Sequence, residues 1–257
     1  TAFFPLYPLL IKVMAYITGD FHIAGMIIAN LSLLLAIIYL YKLLTLNYDQ
    51  DLAQRSILLL LLSPFAFFFS AVYSESLFLL FVVLVFNFGS QQRWVPAVLF
   101  SILAGATRAV GFLTVLPLIY LYLKSIEFNW RKIRASILWL PLSALGPGSY
   151  MLYLSIKFGD PFLFIKSQNA PGWKEGVSLF SALDTLRMPF SGSAILTGEY
   201  PVIYLIHVLS FFLGLCLLIL MARRLRPEYS IWAIATLLVS FSVWISVGRF
   251  MIVIFPL

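Results

Sequence analysis

An all-α, polytopic bundle of transmembrane helices is the fold class the sequence predicts, on three observations. Of the 257 residues 62% are hydrophobic and 11% charged, far below the roughly 25% charged residues of soluble domains. Mean hydropathy is +1.02. The apolar residues gather into blocks bounded by charged or turn-forming breaks, several near the ~20 residues a helix needs to cross hydrocarbon.

The elements follow in order. Phe4 to Ile17 is too short to span comfortably and carries Pro5 and Pro8 near its front, where proline is tolerated in a helix; it reads as an interfacial helix on the outer face. Apolar blocks then fall at 22–46, 52–70, 74–90, 94–106, 110–123, 135–157, 200–222 and 229–247. The halves 94–106 and 110–123 must each make a pass, although about 13 residues give only ~20 Å of helix. A thinned membrane or a polar funnel would accommodate them. Residues 158–199 form the one substantial extramembrane loop, with turn signals at Asp160-Pro161, Pro171-Gly172-Trp173 and Gly192-Ser193, and such loops often cover a site. No repeat or low-complexity tract divides the chain, so 1–257 reads as a single domain.

Charge sets the sidedness. The formal net charge of +7 concerns membrane topology more than nucleic acid, for which no partner role is expected. Lys124 with Arg131, Lys132 and Arg134, and Arg223 and Arg224 with Arg226, mark two cytoplasmic loops by the positive-inside rule. Threading from them places Gly19-Asp20, the turn at Glu75, Thr107-Arg108 and the 158–199 loop outside. Asn47 to Gln54 and Gln91-Gln92-Arg93 fall inside.

Glu75 is the only charged side chain in the 37 residues from Ser56 to Gln92, and a carboxylate in hydrocarbon is costly unless paired or hydrated. With Asp20, His22, Arg108, Asp160 and Arg249 it comes to one membrane face from five segments, which points to a site. Ser74 can cap a helix with Glu75 in its first turn, favoured by the macrodipole. Glu75 can also accept sugar hydroxyls or pair with a cation, with Tyr73 offering a ring and a phenol. Arg108 suits a phosphate or an ion pair with Glu75. Arg249 stands where a lipid phosphate would lie, or snorkels to the interface.

Other signals are weak. Asp49-Gln50-Asp51 has the form of an Asp-x-Asp metal signature but lies in a short cytoplasmic turn. His207 in an apolar span is more often an interhelical hydrogen-bond partner than a ligand. Cys216 is the one cysteine and His22 and His207 are the two histidines, so neither a disulfide framework nor a zinc cluster is expected. No secretory leader pattern is visible. Because the chain opens on Thr1 and closes on Phe255-Pro256-Leu257 inside an apolar run, a piece of a longer polypeptide is expected.

Several motifs occur in a telling order: Phe3-Phe4-Pro5-Leu6-Tyr7-Pro8-Leu9-Leu10, Ser63-Pro64, Phe69-Ser70-Ala71-Val72-Tyr73-Ser74-Glu75-Ser76-Leu77-Phe78, Ala106-Thr107-Arg108, and Gly248-Arg249-Phe250 with Phe255-Pro256. Together they resemble the PIG-V type mannosyltransferases (GPI mannosyltransferase 2) and their prokaryotic relatives. The Tyr-Ser-Glu-Ser turn is the specific part.

The resemblance implies a GT-C fold and a multi-pass enzyme of a bacterial or archaeal cell membrane or of the endoplasmic reticulum. Such an enzyme takes a hexose, mannose first, from a polyprenyl-phosphate-sugar donor and gives it to a lipid-linked or surface acceptor on the outer or lumenal face. Membrane lipids are further partners. A divalent cation is compatible with the superfamily but not required, and no other cofactor is implied. Tyr73, Ser74, Glu75, Arg108, Arg249, Asp20 and His22 would bind donor or acceptor. The family's acidic base lies in an outer loop just before the Phe-Phe-Pro-Leu-Tyr-Pro helix, and no residue here matches it, so the catalytic residue stays unassigned.

The alternative is a transporter or flippase of lipid-linked or small polar substrates, since broken apolar segments and intramembrane charges also mark translocation paths. No matching pair of broken segments in two halves supports it. Sidedness is testable in a Cys216→Ser background. An impermeant thiol reagent applied from outside is expected to label Ser74→Cys and to spare Glu127→Cys; labelling of Glu127→Cys alone would overturn the threading.

Overall fold

The structure, a computed structural model, describes residues 3–167, 201–221 and 224–242. All regular structure among them is helical. Residue contacts group the chain into two compact units, Phe3–Phe162 and Leu163–Leu257.

In the first unit α1 (Leu6–Thr18) starts behind Pro5. It stops at Gly19, whose φ of 73° is left-handed and whose N–H bonds the Ala15 carbonyl, the usual role of glycine at a helix end. Asp20 then caps α2 (Phe21–Thr45) by accepting from the N–H groups of His22 and Ile23 at 2.7 and 2.8 Å. Asp49 does the same for α3 (Gln50–Leu62), accepting from Leu52 N–H at 2.7 Å.

The block predicted at 52–70 is broken in two. Ser63 is pushed to extended backbone, ψ 140°, because the ring of Pro64 disfavours a helical residue before it. The chain resumes as the single turn α4 (Phe67–Ser70).

Helix α5 (Glu75–Ser90) is the central post. Every residue from Glu75 to Asn87 is buried, packed against α2, α4, α6 (Trp94–Thr107) and α7 (Val115–Ser125). Its one mid-helix amide is satisfied on both sides, since Asn87 Nδ2 donates to the Tyr39 carbonyl and Asn87 Oδ1 accepts from Gln91 Nε2 at 2.6 Å. Gly89 leaves room for Leu118 and Leu121.

The short apolar segments are lengthened by winding. Ala109–Thr114 and Ala135–Ala144 are 3-10 helices that run into α7 and α8 (Leu145–Phe158). At ~2.0 Å rise per 3-10 residue and ~1.5 Å per α residue, the two combined segments extend about 28 Å and about 41 Å. The segment beginning at 109 therefore comes close in length to the ~30 Å of bilayer hydrocarbon. Phe21–Thr45 and Ala135–Phe158 are each long and apolar enough to cross a bilayer.

Segments α6 and 135–158 run in the same direction. Ile137 and Leu140 share an apolar cluster with Trp94, Ala97 and Val98, while Gly146 lies against the Ile102 carbonyl further along both. A Cβ at Gly146 would stand 2.3 Å from that oxygen, and one at Gly111 would stand 2.2 Å from the Ala104 carbonyl carbon. Such backbone contact is how small residues bring helices together where water supplies no driving force.

In the second unit α9 (Leu163–Lys166) is a single turn. Helices α10 (Pro201–Met221) and α11 (Pro227–Ser242) pack through Leu218, Ala233 and Leu237. Arg226 Nε lies 2.7 Å from Oε1 of the buried Glu228 in the first turn of α11.

Gly146→Ala is expected to destabilise the protein by ~1–3 kcal/mol, the usual cost of overpacking. Gly148→Ala, which meets open space, should be neutral. Thermal unfolding of the detergent-purified variants measures both.

Candidate functional site

The site grows from the N-terminal end of α5. Residues 71–74 form an irregular turn, and the Ser74 carbonyl accepts the first helical bond from Phe78 N–H at 2.9 Å. Ser74 thus stands at the capping position, but its hydroxyl makes no capping bond. Its φ and ψ of −85° and 0° differ from the extended backbone that aims a cap oxygen at the first-turn amides. The expected serine cap is corrected on this point. The neighbouring Ser76 ties the turn down instead, its Oγ donating to the Phe69 carbonyl at 2.6 Å.

Glu75 is the first residue of α5, and its side chain is 1% exposed. Arg108 approaches from the far end of α6, where the helix stops and the chain turns extended, φ −151° and ψ 140°. Arg108 Nη1 donates to Glu75 Oε1 at 2.8 Å, with 10% of the arginine side chain exposed. Its guanidinium carbon lies 5.6 Å from the Phe78 ring centroid, close enough for a cation–π contribution. Of the two roles the sequence leaves open for Arg108, the ion pair is present. With 10% and 1% of the two side chains exposed the pair is largely desolvated, so its geometry matters more than that of a surface pair.

Four further residues frame it. Tyr7 of α1 donates to the Gly25 carbonyl of α2 at 3.1 Å and lies within electrostatic reach of Glu75. Gly25 is open enough for Val72 to press against α2, a Cβ there falling 2.5 Å from Val72 Cγ1. Tyr73 is exposed at the rim, with the Phe68 ring edge-on at 5.1 Å.

The other expected residues separate from this centre. Asp20 and His22 are exposed at the turn from α1 to α2, and among the described residues no hydrogen bond or ion pair joins them to Glu75 or Arg108. Asp20 serves its own helix: the Ile23 N–H first, then the His22 N–H and the nearby His22, hold its carboxyl below the usual carboxylate range. Asp160 accepts from Phe162 N–H at 2.9 Å in a local turn. Arg249 and the side chain of His207 lie outside the described residues. Asp49 is a helix cap and Asp51 pairs with Arg55 at 2.8 Å on the surface. Among the described residues no group of three or more His, Cys, Asp and Glu is placed to hold a metal ion.

Phe78 and Tyr7 were missed as site residues. The signal for Phe78 was its position three residues beyond Glu75, on the same helical face. For Tyr7 no local signal exists, because its approach depends on how α1 crosses α2.

A model of the Mannosyltransferase (PIG-V) family matches residues 1–133, which is more than half of the chain and includes both Glu75 and Arg108. The chain belongs to this family. Its members are membrane-associated glycosyltransferases, and the chain is accordingly a glycosyltransferase of the mannosyltransferase type. No curated protein and no solved structure matches it.

Proposed function

We propose that this mannosyltransferase family member is a multi-pass membrane enzyme that moves a hexose, mannose in the first instance, from a polyprenyl-phosphate carrier to a lipid-linked or surface acceptor on the outer or lumenal face. Residues 1–257 act in it as one transferase domain. The observation that carries this reading is the buried Glu75–Arg108 pair at the helix end that charge threading turns outward.

In the transfer an acceptor hydroxyl attacks the anomeric carbon, its proton passing to a general base or to the departing phosphate, while the bond from that carbon to the phosphate oxygen breaks. Negative charge then grows on the leaving phosphate. A guanidinium can take a carboxylate on one edge and a phosphate on another, and one fixed beforehand in a water-poor pocket stabilises the growing charge most. Glu75 acts through Arg108, setting the angle of the guanidinium with Phe78 as the second support. Tyr73 offers its exposed ring to the sugar, with Ser74 beside it. Asp20 and His22 contribute to binding from the neighbouring turn, and Arg249 supplies a second cation for the carrier phosphate.

The test is transfer from polyprenyl-phosphate-mannose by the intact protein in membranes. Arg108→Ala is expected to lower kcat by about 100-fold or more, the scale of a lost transition-state donor, and Glu75→Gln to lower it with membrane insertion unchanged. Normal rates in both variants would remove the pair from the mechanism.

A further inference from the structure

Ser101 and Ala104 lie three residues apart on the buried face of α6, and the 3-10 segment Ala109–Thr114 folds back along that face. Thr114 meets Ser101, and Gly111 meets the backbone of Ala104. On both arms of this hairpin the second contact lies three residues nearer the bend than the first. At the bend stands Arg108, where α6 ends in extended backbone.

The contact further from the bend joins two hydroxyls with no exposed surface, Ser101 Oγ and Thr114 Oγ1 at 2.7 Å. Thr114 Oγ1 also lies 2.7 Å from the Gly111 carbonyl. A carbonyl only accepts, so the single threonine proton goes there and Ser101 has to donate to Thr114. Gly111 N–H in turn donates to the Arg108 carbonyl at 2.9 Å, while Arg108 N–H donates to the Ala104 carbonyl at 3.0 Å. Hydrogen bonds passing through Gly111 thus connect Ser101 with the backbone of the arginine.

We propose that Ser101 and Thr114 are positioning residues of the transferase, their hydroxyl relay fixing the hairpin whose bend presents the Arg108 guanidinium. This inference rests on the role proposed above for Arg108.

Packing alone does not call for hydroxyls at these two places. Each is costly in an apolar bundle unless bonded, and apolar side chains of the same shape on both sides would avoid that cost. The relay adds direction, since consecutive bonds polarise and strengthen one another where the dielectric is low. A 3-10 segment has poorer hydrogen-bond geometry of its own than an α-helix, so it depends more on ties from outside. Thr114 is its last residue, at the point where the winding changes to that of α7. Without the tie the bend is free to shift, and a displacement of about 1 Å at a catalytic group can lower a rate by up to about 100-fold.

The experiment measures transfer from polyprenyl-phosphate-mannose and thermal unfolding on the full-length protein in nanodiscs. Thr114→Val leaves the Ser101 donor without its acceptor. It is expected to lower kcat about tenfold with KM within about twofold, and to lower Tm by a few degrees. Ser101→Ala combined with Thr114→Val removes both partners, so Tm should return to within about 2 °C of the unsubstituted protein while kcat stays about tenfold low. Thr114→Ser, which keeps the hydroxyl, should restore kcat. In an Arg108→Ala background Thr114→Val should lower kcat no further.

A kcat that recovers together with Tm in the double variant would assign the hydroxyls to stability alone and overturn the inference. So would an undiminished loss from Thr114→Val in the Arg108→Ala background. Should Thr114→Val fail to fold, the double variant decides. Normal transfer by Arg108→Ala would remove the reading beneath the inference, whereas an impaired Arg108→Ala beside a normal double variant would remove the relay only.

Discussion

A carboxylate at the end of a helix buried on every side has to be met by a cation, and much of the first unit is arranged to meet it. Burial of Glu75 alone would carry the cost of an uncompensated charge, several kcal/mol even after relaxation. Arg108 removes that cost only if α6 ends level with the start of α5 and the chain leaves in extended conformation there. The 3-10 turn that follows folds Gly111 back against the Ala104 carbonyl, so the backbone that positions Arg108 is held by contact too close for any side chain. On the far side of α5 the same end is closed by Tyr7, Gly25 and Val72.

Such a pair is weak support for stability by itself, because an apolar replacement of both partners can be neutral or better. Its presence at the junction of α5 and α6 is better accounted for by what a fixed guanidinium can do. It lies in the part of the chain that the mannosyltransferase family covers. The arginine side chain keeps 10% of its surface exposed, enough to meet a ligand while its partner carboxylate stays buried. Chemistry and scaffold meet in one residue, which explains why a costly buried charge sits where a leucine would pack.

Much of the helical framework was legible in the residues, because apolar blocks and capping signals are local. The helix expected at 4–17 is α1, the block at 22–46 is α2, and 74–90 is α5 nearly to the residue. What escaped reading depends on neighbours. Nothing in Ala109–Thr114 or Ala135–Ala144 says that the chain winds as 3-10 helix there; that winding accompanies the close approach of α6 to both segments. Ser63-Pro64 announced a break that the continuous block 52–70 passed over, although the proline rule was available. For the site, Glu75 and Arg108 were visible as charges out of place, and their contact was one of two open roles. Ser74 looked like a cap and is not one, since the turn before it is set by Ser76 and Phe69. Phe78 and Tyr7 entered only when the helices were assembled.

The central claim is that Glu75 and Arg108 act in transfer as one unit. A double-substitution cycle on kcat/KM, with Glu75→Gln, Arg108→Gln and both together in the intact membrane protein, measures that directly. The account predicts that the double variant is no worse than Arg108→Gln alone, because Glu75 works through the arginine. Losses that multiply independently would contradict it.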